Sequence, residues 1–153
     1  EIKKNTDGTP VLKKRICGNR FEGTNIYKRG EYYYLFASIG TCCNGATSTY
    51  QTVVGRSKNV LGPYLDKTGR DMLYDYCEII MSGNETWAGP GHNSILIQDD
   101  VGTDWIFYHG YKKKEAENGR YVLMDKLIWS NDGWPSVKSN APSILEVAPY
   151  FQK

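Results

Sequence analysis

The stretch NRFEGTNIYKRGEYYYLFAS, residues 19–38, decides the fold class because it has the pattern of two strands joined by a tight turn. Residues 24–29 and 31–38 are the strand-like runs, and Gly30 lies between them. The second run is rich in aromatic and aliphatic side chains, which suit a pleated, half-buried surface. The stretch therefore predicts a β-hairpin, with a carboxylate, Glu22, at its entrance.

The rest of the chain repeats this alternation of short strand-like runs and glycine-rich turns. Further strands are predicted over residues 48–57, 76–81, 94–99, 104–111 and 120–130. Residues 82–93 predict a loop, and residues 112–119 predict a charged, exposed loop too short to be a stable helix alone. Since no 3.6-residue apolar period persists beyond a turn or two, we predict an all-β chain. The strand pattern alone fits either propeller blades or a sandwich.

Composition excludes some classes of partner and leaves others open. The 153 residues suffice for a domain with a core, and a net charge of +2 gives no sign of a nucleic-acid or membrane surface. The basic N-terminus lacks Met and an apolar segment, so we interpret the chain as processed or truncated rather than as carrying a signal peptide. Aromatic residues make up 13% of the chain. This content favours β-structure over the alternative interpretation, in which the rings stack on sugars.

The chain has four cysteines, at positions 17, 42, 43 and 77, and their spacing fits no zinc site. Cys42 and Cys43 are adjacent, so we expect no disulfide between them. A bridge between Cys17 and Cys77 stays open, and with it the redox compartment.

Glu22 is a candidate general acid. The usual interpretation of such a residue is a surface carboxylate at a strand entrance. Phe21 and the apolar strand that follows argue instead for partial burial, which raises the pKa of a carboxyl group and keeps it protonated near neutral pH. Gly23 would leave space for a ligand to approach the backbone.

Both histidines and one arginine have a structural and a functional interpretation. His92 follows a Gly-Pro-Gly segment, where it is either a loop histidine bonded to the backbone or a metal ligand or substrate contact. His109 lies within a predicted strand, which favours a core or rim position. Arg56 is either an ordinary surface cation or the partner of a carboxylate.

Three segments together resemble a known family. They are FEGTNIYKRGEYYYLFASIGTCCNGATSTYQTVVGRSKNVLGPYLDKTGRDM (21–72), WAGPGHNSILIQDDVGTDWIFYHGY (87–111) and LIWSNDGWP (127–135). In order and at suitable spacing they resemble glycoside hydrolase family 43, and most closely its endo-arabinanases and arabinosidases. The resemblance implies part of a five-bladed β-propeller with the active site on its central axis, here about two antiparallel blades plus a remnant. It also implies an inverting hydrolase of arabinan or arabino-oligosaccharides.

The resemblance assigns roles to particular residues. It implies that Glu22 is the general acid, facing a cleft at the axis, and that His92 approaches a bound calcium ion. The expected substrate-binding residues are Cys42, Cys43 and Arg56. The family's catalytic base and its second Asp would both precede residue 1, because Asp7, within residues 1–19, lies in a plain turn sequence.

We therefore expect a C-terminal portion of the enzyme that is inactive alone. The expected divisions are residues 1–19 as a remnant of the preceding blade, 20–75 and 76–135 as blade-like sheets, and 136–153 as a tail. Such a chain would pair with the missing N-terminal blades or with itself. The resemblance also implies a secreted or periplasmic location. The alternative is a non-catalytic carbohydrate-binding or interaction module in which aromatic rings stack on glycans and Glu22 bonds a sugar hydroxyl.

Overall fold

The computed structural model describes residues 6–9 and 14–152, and across these residues the chain is built of short β-strands. In chain order the strands are β1 (Glu22–Arg29), β2 (Tyr32–Ile39), β3 (Gln51–Ser57), β4 (Glu78–Met81), β5 (Trp87–Gly91), β6 (Ile97–Gln98), β7 (Asp104–Lys112), β8 (Arg120–Lys126), β9 (Ile128–Trp129) and β10 (Pro135–Ser136). Short 3-10 helices lie at Gly45–Thr47, Met72–Tyr74, Lys113–Asn118 and Lys138–Asn140. The predicted all-β class is confirmed.

The first sheet is a four-stranded antiparallel meander in the order β1-β2-β3-β4. The predicted hairpin is its first half, closed by the pairing of Arg29 with Tyr32. Strand β4 joins this sheet because Val54 pairs with Glu78. The boundary between the sheets therefore lies after Met81, and the expected boundary between residues 75 and 76 is wrong.

The second sheet is built around β7, with β5 and β6 on one side and β8 on the other, all antiparallel. The prediction of a loop over residues 82–93 is wrong, since β5 lies within it. Its glycines and Pro90 have the composition of a loop, yet a Cβ atom on Gly91 would lie 2.5 Å from the ring of Tyr50. Glycine is therefore needed there for close packing rather than for a turn.

Two further details of the second sheet differ from prediction. The predicted loop over residues 112–119 contains the 3-10 helix Lys113–Asn118. The predicted strand over residues 120–130 is interrupted at Leu127, whose backbone N–H donates to the Asp104 carbonyl instead. Strands β9 and β10 form a separate two-stranded pair beyond this break.

The two sheets share an apolar core, and the alternation of side chains along β2 explains how. Tyr34 and Phe36 point into the cluster between the sheets, whereas Leu35 and Ala37 point into a second cluster on the other face of the first sheet. The shared cluster contains Tyr34, Phe36, Val54, Ile80, Met81, Leu96, Ile106, Tyr108, Leu127, Trp134 and Val137. The chain thus contains the two antiparallel blade-like sheets that were predicted.

A buried carboxylate, Asp104, ties the sheets together at one end of this core. It accepts hydrogen bonds from Tyr27 Oη at 2.6 Å and Trp129 Nε1 at 2.7 Å. Gln98 Nε2 donates to it at 3.0 Å, and Arg29 Nε lies 3.4 Å away. Because Tyr27 and Arg29 belong to β1, the side chain links the first sheet to the second.

The segments outside the sheets also contact them. Gly18 N donates to the Met72 carbonyl at 2.8 Å, which places this part of the predicted remnant against the 3-10 helix Met72–Tyr74. Residues 1–5 and 10–13 lie outside the described residues. In the predicted tail, Tyr150 N donates to Asp99 Oδ2 at 3.3 Å. No helix in the part of the chain that the structure describes has the length and apolarity needed to cross a bilayer.

Replacing Asp104 with alanine is expected to lower the free energy of unfolding by about 3–5 kcal/mol, because it leaves buried donors and a cation without their acceptor. Urea unfolding measures this change. Glu31→Ala is the control, since the pair of Glu31 with Lys58 is exposed on both sides and its loss should cost no more than about 1 kcal/mol. Equal losses in the two variants would contradict the role given to Asp104.

Candidate functional site

Glu22 lies at the start of β1, opposite Ser38 of β2. Its side chain is exposed and only its neighbour Phe21 is buried, so the expected partial burial of Glu22 is wrong. The reason is local: the β1–β2 register shifts between Glu22 and Asn25, and Gly23 has a positive φ of 55°. Such an irregularity bends the strand end and re-aims its side chains, here away from the core.

A buried tyrosine holds the Glu22 carboxylate in place. Tyr50 is 1% exposed, and its Oη donates to Glu22 Oε2 at 2.8 Å. Burial, together with the bond to Glu22, raises the pKa of Tyr50 to about 12. The hydroxyl therefore keeps its proton, and its role as a donor, through the physiological pH range.

A second buried side chain, Ser38, lies beside this contact, opposite Glu22 on the neighbouring strand. The Ser38 hydroxyl opposes part of the rise in the pKa of Tyr50. The backbone N–H of His92 donates to Ser38 Oγ at 2.7 Å. Hydrogen bonds thus join His92 to Ser38 and Tyr50 to Glu22 at the same end of the sheet.

The two histidines complete the group. The exposed ring of His92 lies over Gly23, where a Cβ atom would be 3.0 Å from His92 Cγ. His92 stacks on His109 with ring centroids 6.2 Å apart, and His109 stacks on Tyr50 at 5.9 Å. The structure therefore places His92 beside Glu22, and the sequence had suggested that both residues belong to a site near the propeller axis. The structure also places His109 between His92 and Tyr50.

His109 is held in its neutral form. Burial, then the nearby charges of Arg120 and His92, lowers its pKa to about 4. Its Nε2 lies 3.4 Å from Arg120 Nη1, and its Nδ1 is buried with no hydrogen-bond partner among the described residues. A neutral ring suits its place in a stack of three aromatic rings.

Cys42 and Cys43 are joined by a disulfide, so the expectation that they would not pair is wrong. That expectation used the spacing of disulfides between distant cysteines, whose Cα atoms are about 4.4–6.8 Å apart, whereas these neighbours are 3.8 Å apart. The loop that carries them is closed where Thr49 N donates to the Thr41 carbonyl at 3.1 Å, directly before Tyr50. The disulfide is therefore at the same end of the sheet as Glu22.

The other two cysteines, Cys17 and Cys77, are free thiols that pack against the second core cluster. Burial raises the pKa of both. They are structural apolar groups in this fold, and the bridge that the sequence left open is not formed.

Arg56 does not join the group around Glu22. It pairs with Tyr34 whereas Glu22 pairs with Ser38, and these two residues of β2 are about 13 Å apart along the strand. Its guanidinium lies between the rings of Tyr32 and Trp134, 4.5 and 4.4 Å from their centroids. This cation is part of the packing at the far end of the sheet, which disfavours contact with a sugar bound at Glu22.

The described residues do not form a metal cage. Among them, no three His, Cys, Asp or Glu side chains gather as a cation site. Calcium takes six to eight oxygen ligands, and the ring nearest to His92 is another imidazole. Asp7 accepts bonds from Thr9 N and Oγ1, as expected of a turn residue.

Sequence reasoning missed Tyr50 and Ser38. Both lie in strand-like runs rich in similar residues, and nothing in their spacing distinguishes them from other polar or aromatic strand positions. Their importance comes from which residues the two sheets bring together.

Comparison with known proteins places these residues in a family context. The family model described as "Glycosyl hydrolases family 43" matches residues 2–135. The chain is 45% identical over 118 residues to the extracellular exo-α-(1→5)-L-arabinofuranosidase of Cellvibrio japonicus and 41% identical over 120 residues to the extracellular endo-α-(1→5)-L-arabinanase 1 of Bacillus subtilis. These matches cover 77% and 78% of this chain, but only 33% and 35% of those proteins. The chain thus spans about a third of the length of these curated relatives.

Comparison with solved structures also finds similarity to part of each of two arabinanases. The Cellvibrio cellulosa α-L-arabinanase in complex with arabinohexaose matches with a TM-score of 0.73 and 44% identity over 78% of this chain and 37% of that one. An exo-1,5-α-L-arabinanase from a bovine ruminal metagenomic library matches with a TM-score of 0.78 and 35% identity over 90% of this chain and 48% of that one. The fold of this chain is part of the propeller that the sequence resemblance implied.

The neutral state of His109 predicts a pH-dependent stability. Its pKa is about 4 in the folded chain, below the ordinary histidine value of 6.5, so the unfolded state binds more protons between these values. The stability that His109 contributes is therefore complete above about pH 6.5 and is lost as the pH falls toward 4.

His109→Phe keeps an aromatic ring in the stack and removes the titrating group. Urea unfolding from pH 4 to pH 8 should show a shallower loss of stability below pH 6.5 in this variant than in the wild type. Carboxylates titrate in both proteins, so the difference between the two curves is the relevant quantity. Parallel curves would contradict the assignment.

Proposed function

We propose that this chain, which belongs to glycosyl hydrolase family 43, is the C-terminal portion of an inverting hydrolase of arabinan or arabino-oligosaccharides and supplies its general acid, Glu22. The observation that carries the proposal is the exposed Glu22 carboxylate held by a buried tyrosine. A fixed but accessible carboxyl group has the placement that a proton donor to a bound substrate needs.

In the proposed reaction, Glu22 protonates the glycosidic oxygen as the bond to the leaving sugar breaks. Inversion also needs a carboxylate base about 6.5–9.5 Å away, with the attacking water between the two groups. Asp7 is engaged in its own turn, so we assign the base and the second Asp of the family to residues outside this chain. We therefore expect the isolated chain to be unable to activate water for the reaction.

The substrate class follows from the relatives. Two of them are named for activity on α-(1→5)-linked arabinose polymers, and a similar structure contains arabinohexaose. We assign the Cys42–Cys43 disulfide to the wall of the sugar site, because it lies at the same end of the sheet as Glu22. Both relatives are extracellular, which supports secretion of this protein too.

The same proposal extends to a partner surface. Apolar side chains near the C-terminus are exposed, among them Ile144, Leu145 and Val147 at 81%, 91% and 72%. Several exposed apolar side chains this close together in the chain favour an interface. We assign this surface to contact with the remaining blades, or with a second copy when these are absent.

A calcium ion near His92 remains a proposal from the family resemblance. His92 directly follows the Gly-Pro-Gly segment, and its exposed ring would be the group that approaches the ion. Among the residues that the structure describes, no three His, Cys, Asp or Glu side chains gather around that ring, so the affinity of the chain alone for calcium should be weak. We derive no catalytic step through the ion.

Glu22→Gln in the complete enzyme is expected to lower turnover of linear arabinan by about 10²–10⁴-fold, which is the usual contribution of general acid catalysis. The amide keeps the shape of the side chain and cannot donate an acidic proton. Reducing-sugar release measures turnover, and binding of an arabino-oligosaccharide should persist.

Glu31→Gln is the matched control, since Glu31 is an exposed glutamate beyond the far end of β1. The isolated 153-residue chain is a second comparison and is expected to give no useful turnover. Near-normal turnover by Glu22→Gln would show that the acid is elsewhere, and clear turnover by the isolated chain would place a base within it.

Calcium binding tests the proposal for His92. Calorimetry on the isolated chain should detect weak uptake of calcium that His92→Ala removes. Equal uptake by the two proteins would remove His92 from the site, and the second histidine gives a control, because His109→Phe should leave the uptake unchanged.

A further inference from the structure

We infer that Tyr50 is a positioning residue that fixes which oxygen of Glu22 carries the acidic proton. This inference rests on the proposed function, since it concerns how the same acid is oriented. Its basis is the hydrogen bond that the buried Tyr50 hydroxyl donates to one oxygen of the Glu22 carboxylate.

The Tyr50 hydroxyl is the donor in this bond. A hydroxyl has one proton, and the proton of Tyr50 points to Glu22 Oε2, 2.8 Å away. Ser38, which lies opposite Glu22 in the register of β1 and β2, accepts a bond from the backbone N–H of His92 at its own oxygen.

The consequence for Glu22 is an unequal pair of oxygens. Oε2 accepts the Tyr50 proton, which leaves Oε1 as the oxygen that is protonated in the acid form. The raised pKa of Tyr50 agrees with a hydroxyl that remains a donor. The glycosidic oxygen must then approach Oε1, and Glu22 is an exposed residue that a substrate can reach.

Tyr50 is itself too closely packed to turn away. Its ring lies against β5, where a Cβ atom on Gly91 would be 2.5 Å from Tyr50 Cδ1 and one on Gly89 would be 3.5 Å from Tyr50 Cβ. Its other contact is the stacked ring of His109. An exposed glutamate has several side-chain rotamers, so a rigid donor is what selects one of them.

The test uses Tyr50→Phe in the complete enzyme, with two substrates that differ in their need for an acid. These are linear arabinan, whose sugar leaving group needs protonation, and a dinitrophenyl arabino-oligosaccharide, whose leaving group does not. We expect kcat on arabinan to fall by about tenfold to a hundredfold, as for a misplaced catalytic group. The rate on the aryl substrate should change much less, and KM should change little on either.

The ratio of the two rates separates positioning from structure. Both rates scale with the amount of folded enzyme, so partial unfolding of Tyr50→Phe leaves the ratio unchanged. Tyr64→Phe is the matched control, because Tyr64 is another buried tyrosine whose hydroxyl donates to the Val60 carbonyl at 2.8 Å, away from Glu22.

An unchanged ratio in Tyr50→Phe would overturn the inference, whether both rates stay normal or both fall together. Glu22→Gln in the same assay reports on the proposed function separately. If that variant loses arabinan hydrolysis and retains the aryl substrate, Glu22 is the acid and the Tyr50→Phe ratio decides the inference. If it keeps both activities, the proposed function fails, and the inference fails with it.

Discussion

The apolar core shared by the two sheets is the interaction on which the rest of this structure depends. Glu22 belongs to the first sheet, whereas His92 and His109 belong to the second. At one end of the core the buried Asp104 carboxylate binds groups from both sheets. At the other end of the core, the glycines of β5 allow this strand to lie directly against Tyr50. The candidate site therefore exists only where the sheets meet.

The sequence predicted the sheets better than it predicted their contacts. Alternating apolar residues in β2 and the turn at Gly30 identified the hairpin, because both are local signals. Strand β5 escaped notice because its glycines serve a contact with Tyr50, about forty residues away in sequence, and local pattern contains no information about that contact. Tyr50 and Ser38 could not be identified for the same reason.

The family resemblance indicated which residues belong to the candidate site but did not predict the environment of their side chains. It pointed to Glu22 and His92, which the structure does bring together. Glu22 was expected to be partly buried, and the irregular register at Gly23 exposes it instead. Arg56 was expected at the sugar site, but its guanidinium is held between two rings at the opposite end of the strand. The type of a residue and its position in the sequence do not determine where its side chain points.

The most direct test of this account is a crystal structure of the complete enzyme, carrying Glu22→Gln, with a bound arabino-oligosaccharide. The account predicts a glycosidic oxygen within hydrogen-bond reach of residue 22, about 2.6–3.2 Å from the side-chain atom that Tyr50 does not contact. It also predicts the Cys42–Cys43 loop beside the sugar. A sugar bound away from residue 22, for example against Arg56, would contradict it.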